Sequence, residues 1–238
     1  MVLYVGSDTI GGGRRDVALL DVERDGLMEY LKINSLFKRN LAGDRRLIEG
    51  DFVNNEYRNI RIWHVEEKVD GTNVRIMYSD GKVSYGGRTD NAQMPCHLLE
   101  YLRVNINEIV LDRAFPISED GQRPSVILFG EGYGAKIQGC GGNYRADPGF
   151  ILFDVLVGRW WLKRDDVRII GEKIGVPTCP FIDYMTVEKV IEFVKSKPLS
   201  RCSHVPQMME GVVCRSEPLV LHRDSKPVMF KLKCKDFV

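Results

Sequence analysis

The chain has 238 residues, 44% of them apolar, with 34 basic and 33 acidic side chains and a formal net charge of +1. That length suits one large domain or two small ones with a sizeable core. The near balance of charge excludes a global field that draws the whole molecule onto nucleic acid or membrane, so any polyanion site must be a local basic cluster.

No apolar run reaches the ~18 residues of a spanning helix, so no membrane association is expected. The start, MVLYVGSDTIGGGRR, lacks the basic opening, long apolar stretch and small-residue cleavage site of a secretion signal. The six cysteines, Cys96, Cys140, Cys179, Cys202, Cys214 and Cys234, include no C-x-x-C pair. Reduced thiols in a cytoplasm are the expectation, the host cytoplasm for a viral source. His64, His97, His204 and His222 are equally isolated and offer no ligand spacing for a structural zinc.

Taken in chain order, residues 1–60 carry little pattern. IGGGRRD has no Walker spacing and reads as a flexible turn. GLMEYLKINSLFKRN either packs on the domain or presents Lys32, Lys38 and Arg39 to solvent or a polyanion. From residue 61 the periodicity sharpens. RIWHVEE and NVRIMY alternate like half-buried strands, and SDGK supplies an Asp-Gly hairpin turn into KVSYGG. MPCHLLEYLRVNINEIV reads as one helix, with Pro95 in its first turn and Leu98, Leu99, Leu102, Ile106 and Val110 on one face. SVILFGEG and FILFDVLV are buried-strand runs, and Gly158-Arg159 turns the second back into WWLK. RDDVRIIGEKIG is a helix with Asp165 as its cap, a Val167–Ile170–Ile174 stripe and a closing Gly175. TVEKVIEFVKSK is a further amphipathic helix, and EGVVCR and PVMFKLKCK finish as strands. Many antiparallel-looking strands with interspersed helices make the expected class α+β rather than doubly wound α/β.

The run EEKVDGTN sits between two of these strands. Lys68 there is either a solvated turn lysine or a nucleophile. A lysine at its usual pKa of ~10.4 is protonated and cannot attack. Nearby cations favour its neutral form, and Lys231 and Lys233 alternate onto one face of their strand, where they can do this and hold a developing phosphate charge. Glu131 and Glu210 offer oxygen ligands for Mg²⁺ or Mn²⁺. Phe153 offers a flat face to a base, and Gly71 lets the backbone approach a ligand closely. Each has a plain alternative: a strand-start carboxylate, a core phenylalanine, an edge-strand lysine.

In order along the chain these blocks resemble the covalent nucleotidyltransferases, which include ATP-dependent DNA ligases, RNA ligases and mRNA capping enzymes. KVDGTN resembles motif I, whose lysine takes the nucleotide. GGRTDNAQMP, with Arg88 twenty residues after Lys68, is similar to the RNA ligase block that touches ribose and phosphates. LFGEGYG resembles motif III with Glu131 at the ribose, FILFDV motif IIIa with Phe153 on the adenine, MEGVVCR motif IV with Glu210, and MFKLKCKDF motif V with Lys231 and Lys233. The resemblance runs from about residue 60 to the C-terminus. It implies a nucleotidyltransferase (ATP-grasp-like) domain of antiparallel sheets flanked by helices. It further implies ATP and Mg²⁺ or Mn²⁺ as cofactors, AMP carried covalently on Lys68, and Glu67, Asp70, Gly71 and Asn73 beside Arg88 around the nucleotide.

Asn73, five residues after the lysine, and GRTDNAQ are similar to the RNA ligase 2-like branch, where DNA ligases and capping enzymes usually carry arginine at the first position. The chain stops five residues after Lys233, so the expectation is one adenylyltransferase domain over 1–238, with 1–60 as an extension packed on it and no C-terminal OB-fold. The expected function is an ATP-dependent RNA ligase that joins 5′-phosphate and 3′-hydroxyl ends, with nucleic acid ends, RNA preferred, as partners and no obligate protein partner. The alternatives are a minimal DNA ligase and a nucleotide- or end-binding module with weak catalysis.

Overall fold

The computed structural model describes residues 29–237. Its strands are β1 (Asn34–Ser35), β2 (Phe37–Arg39), β3 (Leu47–Phe52), β4 (Trp63–Lys68), β5 (Thr72–Ser79), β6 (Lys82–Gly86), β7 (Val126–Tyr133), β8 (Gly149–Val157), β9 (Trp160–Trp161), β10 (Phe181–Met185), β11 (Gly211–Ser216) and β12 (Met229–Lys233). The helices are α1 (Cys96–Asn105), α2 (Glu108–Ala114), α3 (Gly141–Tyr144), α4 (Arg164–Ile174) and α5 (Val187–Lys195). Two five-stranded sheets form, ordered β1-β12-β11-β4-β10 and β6-β5-β7-β8-β9, beside a β2-β3 ribbon. Every pairing within the two large sheets is antiparallel except β1 with β12. The fold is therefore α+β with antiparallel sheets flanked by helices, as the alternation predicts. The IGGGRRD segment lies outside the described residues.

Side-chain alternation assigns each sheet two unlike faces. On the first sheet Trp63 and Val65, Val212 and Cys214, and Phe230 and Leu232 pack in one core with Val187, Val190 and Val194 of α5. On the second, Val74 and Ile76, Val126 and Leu128, and Phe150 and Leu152 pack with Leu98 and Leu102 of α1 and the Val167–Ile170–Ile174 stripe of α4. Burying each such side chain contributes ~1.5–3 kcal/mol, so these two cores fix which faces remain. The remaining faces turn toward each other and form a cleft.

β4 was expected to be half-buried, yet all of Trp63–Glu67 is buried. It is an inner strand of its sheet, with the α5 core on one face and the cleft on the other. The predicted helix after Pro95 is two helices. The Asn107 side chain accepts from the Val110 backbone N–H at 3.2 Å and so starts α2 anew; asparagine competes for backbone partners and favours such caps. Asp165 lies inside the first turn of α4, where Lys163 holds the cap position without a side-chain bond. Gly175 ends α4 at φ 73°, and Asp80 and Gly81 turn the hairpin at φ 51° and 74°, as a type I′ turn requires. All six cysteines are free thiols. Among the described residues no helix is long and apolar enough to cross a membrane.

Candidate active site

A cavity of about 180 Å³ opens between the two sheets. β4 ends at Lys68, and the link Val69-Asp70-Gly71 carries the chain from the first sheet into β5 of the second. Lys68 therefore stands where the two sheets meet. Gly71 has a packing reason to be glycine: a Cβ there would lie 2.2 Å from the Gly132 carbonyl oxygen and 2.8 Å from Glu131 Cγ. Its lack of a side chain lets the link cross β7 closely and brings Glu131 near the lysine. The link is pinned from outside. The Asp70 N–H donates to Tyr144 Oη at 3.3 Å, and Gln138 Nε2 donates to the Gly71 carbonyl at 3.0 Å.

On the first sheet Lys68, Gly211 and Lys233 are cross-strand partners in one row, and Glu66, Val213 and Lys231 form the row beside it. A Cβ on Gly211 would lie 2.0 Å from the Leu232 carbonyl oxygen, so only glycine fits between the two lysines. The preceding residue, Glu210, fills the gap electrostatically. Its Oε2 lies 2.7 Å from Lys68 Nζ and its Oε1 2.6 Å from Lys233 Nζ.

This corrects the expectation that Lys231 and Lys233 leave Lys68 neutral. Burial does lower the Lys68 pKa, but Glu210, Glu131 and Asp70 outweigh it and hold the ammonium above the ordinary lysine value. Lys233 spends its charge on Glu210 instead. The lysine whose pKa falls is Lys231, through burial first and then the charges of Lys68, Lys233 and Arg88. Burial also pushes the Glu131 carboxyl up to about 7, with Lys68 pulling against it and Glu210 adding to it.

On the second sheet Asn73 and Glu131 are cross-strand partners, and both line the cavity. Asn73 Oδ1 is buried with no hydrogen-bond partner. Phe153 sits at a β-bulge: Gly130 pairs with Leu152 and Phe129 with Asp154, which leaves Phe153 without a partner on β7. A bulge re-aims a side chain, and this one reaches the cavity wall opposite Val213 of the first sheet. Arg88 also lines the cavity, from the loop after β6. Buried Arg75 organises that loop, donating from Nε to the Gly87 carbonyl and from Nη2 to Asp90, each at 2.7 Å.

Of the predicted residues, Lys68, Asn73, Arg88, Glu131, Phe153 and Lys231 thus converge on one cavity, and Glu210 and Lys233 join through the ion pairs with Glu210. Asp70 and Gly71 form the link. Glu67 also lines the cavity. It pairs with Val212, on the face opposite Lys68, and its carboxylate accepts from Ser200 Oγ at 2.5 Å and the Arg201 N–H at 2.7 Å.

Tyr30, Leu31, Ile33 and Arg215, none of them a candidate from the sequence, also line the cavity. Arg215 was accessible from the sequence, because it follows Gly211 and Val213 at period 2; Tyr30 carried no signal. Lys32 reaches the cavity, whereas Lys38 pairs with Asp51 at the surface and Arg39 grips Asp236 with bonds of 2.8 and 2.9 Å. Among the described residues no three His, Cys, Asp or Glu side chains are grouped to hold a metal ion by themselves.

The sequence profile of the RNA ligase family matches residues 61–233. A search of curated proteins found no match. Solved structures of a Naegleria gruberi RNA ligase share the fold. A variant with ATP and Mn aligns with TM-score 0.55 and 18% identity over 87% of this chain and 56% of that one. A variant with AMP and Mn gives 0.54 and 19% over 75% and 51%, and the protein with PPi gives 0.53 and 18% over 75% and 51%. This chain spans about half the length of those proteins. The profile match takes in every strand that carries the lysine rows and the cavity's facing wall, and by it the chain belongs to the RNA ligase family.

Proposed function

We propose that this chain is an ATP-dependent RNA ligase, or its catalytic domain, that joins 5′-phosphate and 3′-hydroxyl ends through AMP carried on Lys68. The observation that carries this reading is the Lys68 amine at the edge of a cavity with lysines on one wall and an aromatic ring on the other. Phe153 and Val213, from opposite sheets, offer a slot for a base. The orphaned Asn73 Oδ1 is an acceptor that a ribose hydroxyl would satisfy. Lys231 and Arg88 supply positive charge for the phosphates.

The residues fit a divalent cation of the Mg²⁺ type, which usually takes one or two carboxylates and completes its shell with water and substrate phosphate. Glu131 and Glu210 would hold it, a reading supported by both carboxylates acting on the charge of Lys68. Such a cation supplies charge to the phosphates and competes with Lys68 for the same carboxylates.

In the first step the deprotonated Lys68 Nζ forms a bond to the α-phosphorus of ATP while the bond to the bridging oxygen breaks and pyrophosphate leaves. In the second, a 5′-phosphate oxygen of the polynucleotide attacks that phosphorus and Lys68 is released. In the third, a 3′-hydroxyl attacks the activated 5′-phosphorus, gives up its proton and expels AMP. Lys231 stabilises the phosphate charge that develops in each step. Residues 1–238 are read as one adenylyltransferase unit, and for the described residues the pairing of β1 with β12 supports this. The free thiols fit a reducing compartment such as the cytoplasm.

The test is the intact mass of the protein after incubation with ATP and Mg²⁺, followed by peptide mapping. A gain of one AMP on Lys68, absent from Lys68→Ala, is the expected result. An adduct that persists in Lys68→Ala overturns the assignment, and joining of all-DNA nicks in preference to RNA moves the substrate class to DNA.

A further inference from the structure

The cavity is bounded by a buried chain of polar side chains that the proposed chemistry does not use. Tyr30 Oη donates to Asp154 Oδ2 at 2.5 Å, and the same oxygen accepts from Arg215 Nη1 at 2.8 Å. Arg215 Nε reaches Glu66 Oε2 at 3.5 Å, and Glu66 Oε1 accepts from Arg164 Nε at 2.9 Å and Nη2 at 2.5 Å. Both arginines also converge on one backbone atom. The Phe153 carbonyl accepts from Arg164 Nη1 and from Arg215 Nη2 at 3.3 Å. Glu66, Asp154 and Arg215 are each under 5% exposed, and Tyr30 is 5% exposed. Two arginines face two carboxylates, so the buried charge is compensated, as it must be away from water.

The target of this network is the bulge. At Phe153 the β7–β8 register shifts, and a part-buried carbonyl at such a position takes donors from elsewhere. One arginine comes from the start of α4 and the other from β11 of the opposite sheet. The ring is held as well. Tyr30 packs at 4.9 Å between ring centroids against Phe153 and at 5.0 Å against Phe129, and its hydroxyl is anchored on Asp154. A network that served only to join the sheets would have no need to end on the backbone of Phe153, which among the strand residues lining the cavity is the one without a ladder partner.

We infer that Tyr30, with Asp154, Arg164, Arg215 and Glu66, positions Phe153, and that this assembly sets how tightly the site holds a nucleobase without touching the reacting atoms. The inference rests on reading the cavity as a nucleotide site. It brings in a residue that lies well upstream of the family match at 61–233.

The experiment is a double-mutant cycle on the full chain, read as AMP affinity by calorimetry, since AMP binds without a pyrophosphate to lose. Tyr30→Leu and Phe153→Leu should each weaken AMP by roughly 5- to 20-fold, a share of the ~1–3 kcal/mol of a base–aromatic stack. The double variant should bind no more than about twofold more weakly than Phe153→Leu, because residues that act through one contact are not additive. Affinity for inorganic pyrophosphate should stay unchanged in Tyr30→Leu. Additive losses, or an equal loss for pyrophosphate, overturn the positioning role and leave Tyr30 a fold residue. Should Tyr30→Leu not fold, Tyr30→Phe keeps the ring and removes only the bond to Asp154. It should weaken AMP about two- to threefold in the wild-type background and not in Phe153→Leu, and equal losses in both backgrounds overturn the role. Wild-type protein that takes up no AMP removes the nucleotide reading itself, an outcome distinct from an additive cycle.

Discussion

Glu210 Oε2 lies 2.7 Å from Lys68 Nζ, so the residue proposed as nucleophile is held as a cation by a carboxylate whose other oxygen binds Lys233 at 2.6 Å. Lys68 cannot attack until that hold is released. Replacing Glu210 with Gln removes the main charge that opposes burial at Lys68. The expected outcome is a Lys68 amine that loses its proton at lower pH. Its labelling by an amine-acylating reagent, followed by peptide mass spectrometry across pH without ATP or metal, should rise severalfold near neutral pH in Glu210→Gln. An unchanged labelling profile shows that Glu210 is not what holds the proton.

Gly211 sets the spacing of the lysine row. In Gly211→Ala the new methyl meets the Leu232 carbonyl oxygen at 2.0 Å and must push β11 and β12 apart. Overpacking of this kind costs about 1–3 kcal/mol, seen as a lower denaturation midpoint. Adduct formation per folded molecule should fall further than stability, because Lys233 and Glu210 flank the distorted position. Normal adduct formation in a destabilised variant is the result that goes against this.

Glu131 makes stability depend on pH. Its carboxyl pKa is raised by burial from 4.5 to about 7. Between those values the folded state binds more protons than the unfolded one. The stability associated with this group is therefore fully present below 4.5 and is lost as pH rises through about 7. Glu131→Gln should remove that loss, so the difference in unfolding free energy between variant and wild type should grow in favour of the variant from pH 5 to pH 8, by an amount on the order of 2 kcal/mol. A difference that does not change with pH places the Glu131 titration elsewhere.

Phe153 tests the base slot directly. Phe153→Leu keeps most of the apolar contact with Tyr30 and loses the stacking face. ATP affinity should drop by ~1–3 kcal/mol, while the melting temperature falls only slightly. A collapse of the melting temperature with unchanged affinity per folded molecule makes Phe153 a core residue alone.

Substrate choice is read at the 3′ end. A strand with ribonucleotides at its 3′-hydroxyl should be joined much faster than an all-DNA strand, since the attacking hydroxyl must be aligned and the 2′-hydroxyl or A-form shape can be sensed there. Joining should also weaken steeply with salt, because phosphate contacts of the kind proposed for the lysines and Arg88 are screened. Rates on 3′-ribo and 3′-deoxy nicks at equal salt decide it, and equal rates reject the RNA preference.

Strands β4 to β9, β11 and β12, the Asp80-Gly81 hairpin, the α4 stripe and the shared face of Lys231 and Lys233 were all determined by the sequence itself, whereas the edge strands β1 and β10 carried no such pattern. Each of the former follows from the local repeat of a strand or helix, or from a residue such as glycine that alone tolerates a given backbone angle. Alternation also required Glu66 and Glu67 to face opposite ways, but not which partner each would meet. The tertiary structure decided that, by bringing Arg164 to one face and Ser200 to the other. The same holds for the bulge at Phe153, a one-residue change of register between distant strands, and for Tyr30, which reaches Asp154 across 124 positions of chain. It holds above all for Lys68, whose charge state depends on Glu210, 142 residues away. Periodicity belongs to the local backbone, whereas a pKa or a ring's orientation depends on groups that only the folded chain brings within a few ångströms.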